Sequence, residues 1–416
     1  MSLTHKPLLG PCDSYQLEPF AYEWAWTMAR AQENNNWAPE EIAVGPDVAD
    51  YKDLALDPRH QHLFEAVMAQ LTTFDIERGD DAAETFLSVF QPAEIRHFFK
   101  RLVWEEGLHT RSYRYVIENL GIPLTIYDTW KVVPAMKARV EMAQAMSAPV
   151  LEALGTALAN RWSVTEVFAD DLENQQALLR ALVFWFLIFE GVWFWVSLLG
   201  PVQQLARLGC FRGGAEQFTY IARDEQSHIG FGIALIREFI AQYPETITED
   251  LLAAITSDTR RALALEGEYI AYCLKDGPIL GYSAPDHLAT AKFFANMRLG
   301  QVGLPQPFDD AHHAFPWMSE QMELKKEKNF FETRVTEYQA GGALSFDDGD
   351  EEGAGVTGDL FAAGVIAPRP EEPPAPVAPQ VVEDKHSVQA LFPADDPYFT
   401  KHDQSEWDDP LAGLKK

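Results

Sequence analysis

Two short stretches carry the side chains best suited to redox chemistry. Glu106-Gly107-Leu108-His109 and Glu225-Gln226-Ser227-His228 both read Glu-x-x-His. On a helix, a separation of three puts carboxylate and imidazole on one face, about 5–6 Å apart at Cβ, so each pair can hold a metal ion. One such pair is weak evidence, because surface helices contain it by chance. The other carboxylates strengthen it. Glu190 lies inside Ala181 to Gly200, ALVFWFLIFEGVWFWVSLLG, the most apolar stretch of the chain. A carboxylate buried there without a partner would be strongly destabilising. No Lys or Arg occurs between Val183 and Leu205, so metal ligation is the expected role. Asp75 closes the apolar run Val67 to Phe74 and is expected as the sixth ligand, with a helix-end cap as its alternative reading. Its rivals Asp80 and Asp81 follow Gly79 in a loop-like stretch.

The elements that must position these groups read as long helices. The patterning predicts Arg59 to Glu77, then Pro92 to Asn119, stopped by Gly121 and Pro123. Pro134 to Ala159 follows, with proline where a missing N–H costs nothing. Asn174 to Leu199, Gly214 to Ala241, Thr248 to Leu274 and Pro285 to Leu299 complete the set. Almost no period-two alternation is present, so the fold class is all-α. A Glu-x-x-His from each of two helices plus one carboxylate from each of two others is the ferritin-like dimetal arrangement. The expectation is therefore a ferritin-like four-helix bundle with additional helices and a dimetal-carboxylate site inside. Oxygen donors with two imidazoles suit iron or manganese better than zinc.

Bulk properties narrow the classes. The 416 residues are 47% hydrophobic and 23% charged, which suits a globular chain with a sizeable core. A formal net charge of −30 disfavours a nucleic-acid surface, which needs basic residues to displace counterions. Cys12, Cys210 and Cys273 form no C-x-x-C pair, so neither a disulfide framework nor a zinc knuckle is implied, and a cytoplasmic setting is expected. No signal peptide is expected at the start. Ala181 to Gly200 is long enough to cross a bilayer, but Glu190 at its centre favours a buried bundle helix, so no membrane is expected. Residues 347–416 are acidic and Pro-rich, a composition expected to be disordered, with aromatic islands at Val388 to Phe392 and Tyr398 to Trp407.

Tyr113 follows Glu106 by seven and His109 by four, so it shares the ligand-bearing face. Walled off by apolar groups such as Phe194 and Ile221, its phenol could lose an electron and a proton to an oxygen-activating centre. An ordinary core tyrosine is the other reading of the same spacing. At this point EGLHTRSY (Glu106 to Tyr113), ARDEQSH (Ala222 to His228) and KNFFETRVTEYQAGGALSF (Lys328 to Phe346) closely resemble the radical-generating small subunit of class I ribonucleotide reductase. The resemblance covers about residues 15 to 346. It implies metal ligands Asp75, Glu106, His109, Glu190, Glu225 and His228, and a radical on Tyr113. It also implies a relay from His109 through Asp224 and Trp37, leaving through Tyr338 with support from Glu332. Further implications are a diiron cofactor, with dimanganese or mixed manganese–iron as variants, molecular oxygen as reactant, and a homodimer. The partner is a large catalytic subunit engaged through the C-terminal region.

The organisation that follows is an N-terminal segment 1–57 of partly irregular structure and a ferritin-like helical domain 58–325. A flexible radical-transfer segment 326–346 and the tail 347–416 complete it. Relatives in this family often end near Phe346, so the docking peptide could lie instead in Val388 to Phe392 or Tyr398 to Leu414. The alternative function is a ferritin-like oxygenase or desaturase acting directly on an organic substrate, which has no need of Tyr113, Trp37 and Tyr338 together. Iron storage calls for a more polar site than the aromatic crowding at Glu190 offers. A purely tail-based interaction protein would leave the ligand carboxylates without a purpose.

Overall fold

In this computed structural model the chain is described over residues 7–10, 18–77 and 82–318. The long helices are α1 (Glu23–Glu33), α2 (Pro58–Glu77), α3 (Ala93–Leu120) and α4 (Pro134–Asn160). Next comes α5, a continuous rod of Leu172–Leu182, Val183–Phe194 and Trp195–Leu199. Then follow α6 (Arg212–Gln242), α7 (Glu249–Cys273) and α8 (Ala284–Gly300). Among the described residues there is no strand, only an isolated bridge between Ile279 and Tyr282. The fold is the expected all-α, ferritin-like bundle: α2, α3, α5 and α6 surround a buried carboxylate–histidine cluster.

Local chemistry fixes the helix ends that matter. Gly121 takes the left-handed conformation at φ 74°, and Gly121 N and Ile122 N both bond Ile117 O at 3.1 Å, closing α3 where its free carbonyls need partners. The start of α6 is held by Asp47, whose carboxylate accepts the Gly213 N–H at 2.9 Å and the Gly214 N–H at 2.6 Å. Free amides at a helix N-terminus favour such a carboxylate. Gly213 must lack a side chain here, because a Cβ would press on the backbone of Ala43 and Val44.

The core departs from the expected elements in one place. Val183–Phe194, in the middle of α5, is a π-helix rather than an α-helix. Every residue in it is buried, so tertiary packing on all sides, not a one-sided apolar stripe, sets its path. Wide π-turns tend to occur at functional sites, and this one contains Glu190. The most apolar window of this helix is entirely buried within the protein, as in a core helix. α1 and the short helix Gly45–Lys52 are the helical parts of the N-terminal segment, for which a partly irregular structure is the expectation. The buried residues of α1, Ala25, Met28, Ala29 and Gln32, have helical spacing, but small and polar side chains make the stripe faint.

A second buried polar cluster stiffens the flank of the bundle. Arg139 of α4 pairs with Glu266 of α7 at 2.8 Å and lies over the rings of Phe74, Trp193 and Tyr269. Glu266 also meets His287 Nε2 at 2.6 Å, and His287 Nδ1 contacts the Tyr282 hydroxyl at 2.6 Å. The buried Arg139 charge is offset by the Glu266 carboxylate and by the ring faces around it, although its guanidinium makes no geometrically formed hydrogen bond.

Candidate metal centre

Three helices bring two carboxylate–histidine pairs and a further carboxylate into one space, and the π-turn supplies the last. Asp75 comes from α2, Glu106 and His109 from α3, Glu190 from α5, and Glu225 and His228 from α6. Their donor atoms fall into two overlapping groups, each within 4.8 Å: Asp75, Glu106, His109 and Glu225; and Glu106, Glu190, Glu225 and His228. Glu106 and Glu225 belong to both, as carboxylates bridging two adjacent cations would. Every one of the six is buried.

The imidazoles aim their Nδ1 atoms inward. His109 Nδ1 lies 3.3 Å from Glu225, 3.7 Å from Glu106 and 3.9 Å from Asp75. His228 Nδ1 lies 3.5 Å from Glu106, 3.6 Å from Glu225 and 4.0 Å from Glu190. At these separations the contacts are ionic rather than hydrogen-bonded, and both Nδ1 atoms and both Glu106 oxygens have no hydrogen-bond partner. Buried polar atoms left so are costly unless something else occupies them. A pair of cations fits the donor set: hard oxygens, neutral imidazole nitrogens, and no thiolate.

Electrostatics within the cluster support that reading. Burial, and then the nearby Glu106 carboxylate, holds the Asp75 pKa well above its usual range. Burial alone would lower the two histidines. Contacts from Asp224, Glu106 and Glu225 outweigh it for His109, and contacts from Glu105 and Glu225 outweigh it for His228, so both are raised well above normal. Against the effect of its own burial, contact with His109 and His228 holds Glu225 down to about 2. Both imidazoles thus sit among carboxylates that favour positive charge at this place, as a pair of cations would require.

The Nε2 atoms face outward to a second layer of carboxylates. His109 Nε2 meets Asp224 Oδ2 at 3.5 Å, and the same oxygen accepts the Trp37 indole N–H at 2.7 Å. Trp37 also stacks at a tilt against Tyr220, with ring centres 5.4 Å apart. The residues singled out from sequence on this side are therefore brought together as one chain: His109, Asp224, Trp37. On the other side His228 Nε2 meets Glu105 Oε2 at 2.9 Å. The sequence reading passed over Glu105 and its anchors Gln32 and Arg101. The available signal was an acidic residue directly before the glutamate in both motifs, Glu105-Glu106 and Asp224-Glu225.

Tyr113 is fully buried on the same face of α3. Burial pushes its phenol pKa well up, and the neighbouring Asp75 and Glu225 add to the effect. The ring that meets it edge-on is Phe218, at 5.8 Å between centres. Phe194, one of the groups expected to wall it in, stacks on Phe74 beside Asp75. The Ser112 hydroxyl next to Tyr113 donates to Gln217, tying α3 to α6 at this level. Asp80, Asp81, Glu332, Tyr338 and the segments 326–346 and 347–416 lie outside the described residues.

Comparison with known proteins agrees with this geometry. A family profile described as "Ribonucleotide reductase, small chain" matches residues 14–316. The ribonucleoside-diphosphate reductase subunit beta of Chlamydia pneumoniae is 31% identical over 335 residues, covering 80% of this chain and 92% of that one. Among solved structures, a class I ribonucleotide reductase from Bacillus halodurans matches with a TM-score of 0.61 at 23% identity, over 72% of this chain and 99% of that one. The dimanganese(II) protein NrdF of Streptococcus sanguinis matches with a TM-score of 0.57 at 17% identity, over 75% of this chain and all of that one, 100%.

Proposed function

This chain belongs to the ribonucleotide reductase small-chain family, and from that premise we propose that its buried centre holds two redox metal ions and serves to make and store a radical on Tyr113. The chain is an oxidoreductase subunit of the class I enzyme and works with a large catalytic subunit. It is not a self-standing oxygenase or desaturase. The observation carrying the finer reading is the pair of overlapping four-donor groups sharing Glu106 and Glu225.

In this reading Asp75 and His109 complete one metal position and Glu190 and His228 the other. When bound, the metal pair supplies the oxidising power, drawn from its reaction with molecular oxygen. The protein's residues do the rest. Burial keeps Tyr113 out of water, so a phenoxyl radical there is shielded from solvent reductants. On oxidation Tyr113 gives up one electron and its phenolic proton, and Asp75 is the carboxylate lying against it. Asp224 and Trp37 carry oxidising equivalents outward from His109, and Glu332 and Tyr338 pass them to the large subunit. Iron is the metal proposed first; manganese, as in the Streptococcus sanguinis protein named above, uses the same donor types. A homodimer, docking to the large subunit through the C-terminal region, and a cytoplasmic location belong to the same proposal.

The test is reconstitution. The chain loaded with ferrous iron and oxygen should bind two metals per chain and, with its large subunit, convert ribonucleoside diphosphates to deoxyribonucleotides. Absence of turnover by a fully loaded chain with that subunit overturns the reading.

Metal uptake should also be proton-linked. The raised pKa values of His109 and His228 mean that metal-free protein holds protons which a cation must displace. Affinity should therefore rise with pH across neutrality, and titration calorimetry in buffers of different ionisation enthalpy should register proton release. The sign for the metal-free fold is opposite. Histidine pKa values raised above the ordinary 6.5 add stability that is full below that value and fades as pH climbs through the raised ones. Metal affinity independent of pH would contradict both statements.

A further inference from the structure

We infer that Glu105 is a positioning residue for His228, matching Asp224 on the opposite side of the centre, and that it fixes the ring of the second metal position. This rests on the metal-centre reading. Hydrogen bonds around one buried carboxylate carry it. Glu105 Oε2 accepts from Gln32 Nε2 at 2.9 Å and meets His228 Nε2 at 2.9 Å, while Oε1 accepts from Arg101 Nε at 2.9 Å. Glu105 and Gln32 are each only 1% exposed. With two N–H donors already pointing at it, the carboxylate can serve His228 only as an acceptor. The proton must sit on Nε2, which leaves the Nδ1 lone pair facing Glu106, Glu190 and Glu225 once a cation replaces the Nδ1 proton.

Helix geometry explains why this residue holds the other helix's histidine. Glu105 precedes Glu106 by one, so it is turned about 100° around α3 and faces α6 instead of the metal space. Asp224 stands in the same place before Glu225 and faces α3. The bonds cross: α3 steadies the imidazole of α6, and α6 steadies that of α3. The two sides differ in what lies behind. Asp224 is backed by the Trp37 indole and by Arg223, an aromatic exit. Glu105 is backed by an amide and a guanidinium, which hold it in place and offer no oxidisable ring in the hydrogen-bonded chain. The His228 contact is the shorter of the two, 2.9 Å against 3.5 Å. Residues Gln32 and Trp37 both come from the segment before α2, so that segment braces both histidines.

The experiment is Glu105→Gln on the full chain, read by metal content and chelator-competition titration with manganese(II) and with iron(II), and by the manganese EPR spectrum. Glutamine keeps the volume, but its amide has one acceptor and one donor end. If the oxygen serves His228 and Gln32, the NH2 faces Arg101, donor against donor. The expected result is a roughly 10–100-fold loss of affinity at one of the two metal positions, the other keeping its wild-type value. Glu105→Asp should recover part of the loss. Wild-type affinity at both positions in Glu105→Gln overturns the inference. So does an equal loss at both positions accompanied by a lowered melting temperature of the metal-free variant, because that pattern marks a merely structural group. If Glu105→Gln fails to fold, Gln32→Met removes one anchor only and should weaken the same position several-fold; unchanged affinities there overturn the inference as well. Fewer than two metals bound by the unaltered chain would count against the dimetal reading itself, and is read separately.

Discussion

Tyr113→Phe is expected to bind two metal ions per chain as the unaltered protein does, yet to show no tyrosyl radical by EPR after exposure to iron(II) and oxygen. The substitution removes one oxygen atom and keeps the ring that Phe218 packs against edge-on. The site is completely buried, so the volume change is small and the fold should hold. What disappears is the group that can lose an electron together with a proton. Phenylalanine has no ionisable proton and is far harder to oxidise. Asp75 loses its neighbouring phenol but keeps its contact with His109, so metal loading should survive. Nucleotide reduction with the large subunit should fall to background. A normal radical spectrum in this variant would move the radical to another residue and defeat the assignment.

The second large effect is expected from Trp37→Phe. Here the stored radical and the metal content should both persist, while nucleotide reduction drops by at least about 100-fold. The decisive losses are the indole N–H and the oxidisable indole ring. The Trp37 indole donates to Asp224 Oδ2 at 2.7 Å, and that oxygen also meets His109 Nε2. Phenylalanine fills most of the same nearly buried space but cannot bond Asp224 or be oxidised at a comparable potential. A group that supports a metal ligand through a shared hydrogen bond typically costs 10–100-fold when removed; interrupting a transfer route should cost at least the upper end of that range. Separating the two readouts is what gives the experiment its force. Loss of metal along with activity would make Trp37 a packing residue, and full turnover would remove it from the route.

The two predictions test opposite ends of one arrangement, and the geometry between them is continuous. Tyr113 and His109 share a face of α3, and His109 touches both the carboxylate cluster and Asp224. The reciprocal bonds made by Glu105 and Asp224 keep α3 and α6 in register. With these bonds in place the donor set is already assembled, so a bound cation would have little further ordering to impose.

Much of the centre was written in local spacing. Glu-x-x-His on a helix guarantees that the two side chains share a face, because 3.6 residues per turn is a property of the backbone and not of the tertiary fold. Glu106, His109, Glu225, His228 and Tyr113 could therefore be read together from the chain alone. Glu190 was legible for a different reason: a carboxylate in so apolar a helix must be compensated. The helix end at Gly121 and the helix start at Pro134 were equally local. Other features depend on which helices face each other, and no local pattern encodes that. Glu105 sits one residue from a ligand on its own helix yet serves the histidine of another, so its role exists only once α3 and α6 are packed. Gln32 and Trp37 reach opposite sides of the centre from a segment whose apolar stripe is faint. The π-turn around Glu190 breaks the period that sequence reading assumes, because packing on every side decides the path of a uniformly apolar helix. Spacing along the chain thus determined which residues could bind; contact between helices decided which groups hold them in place.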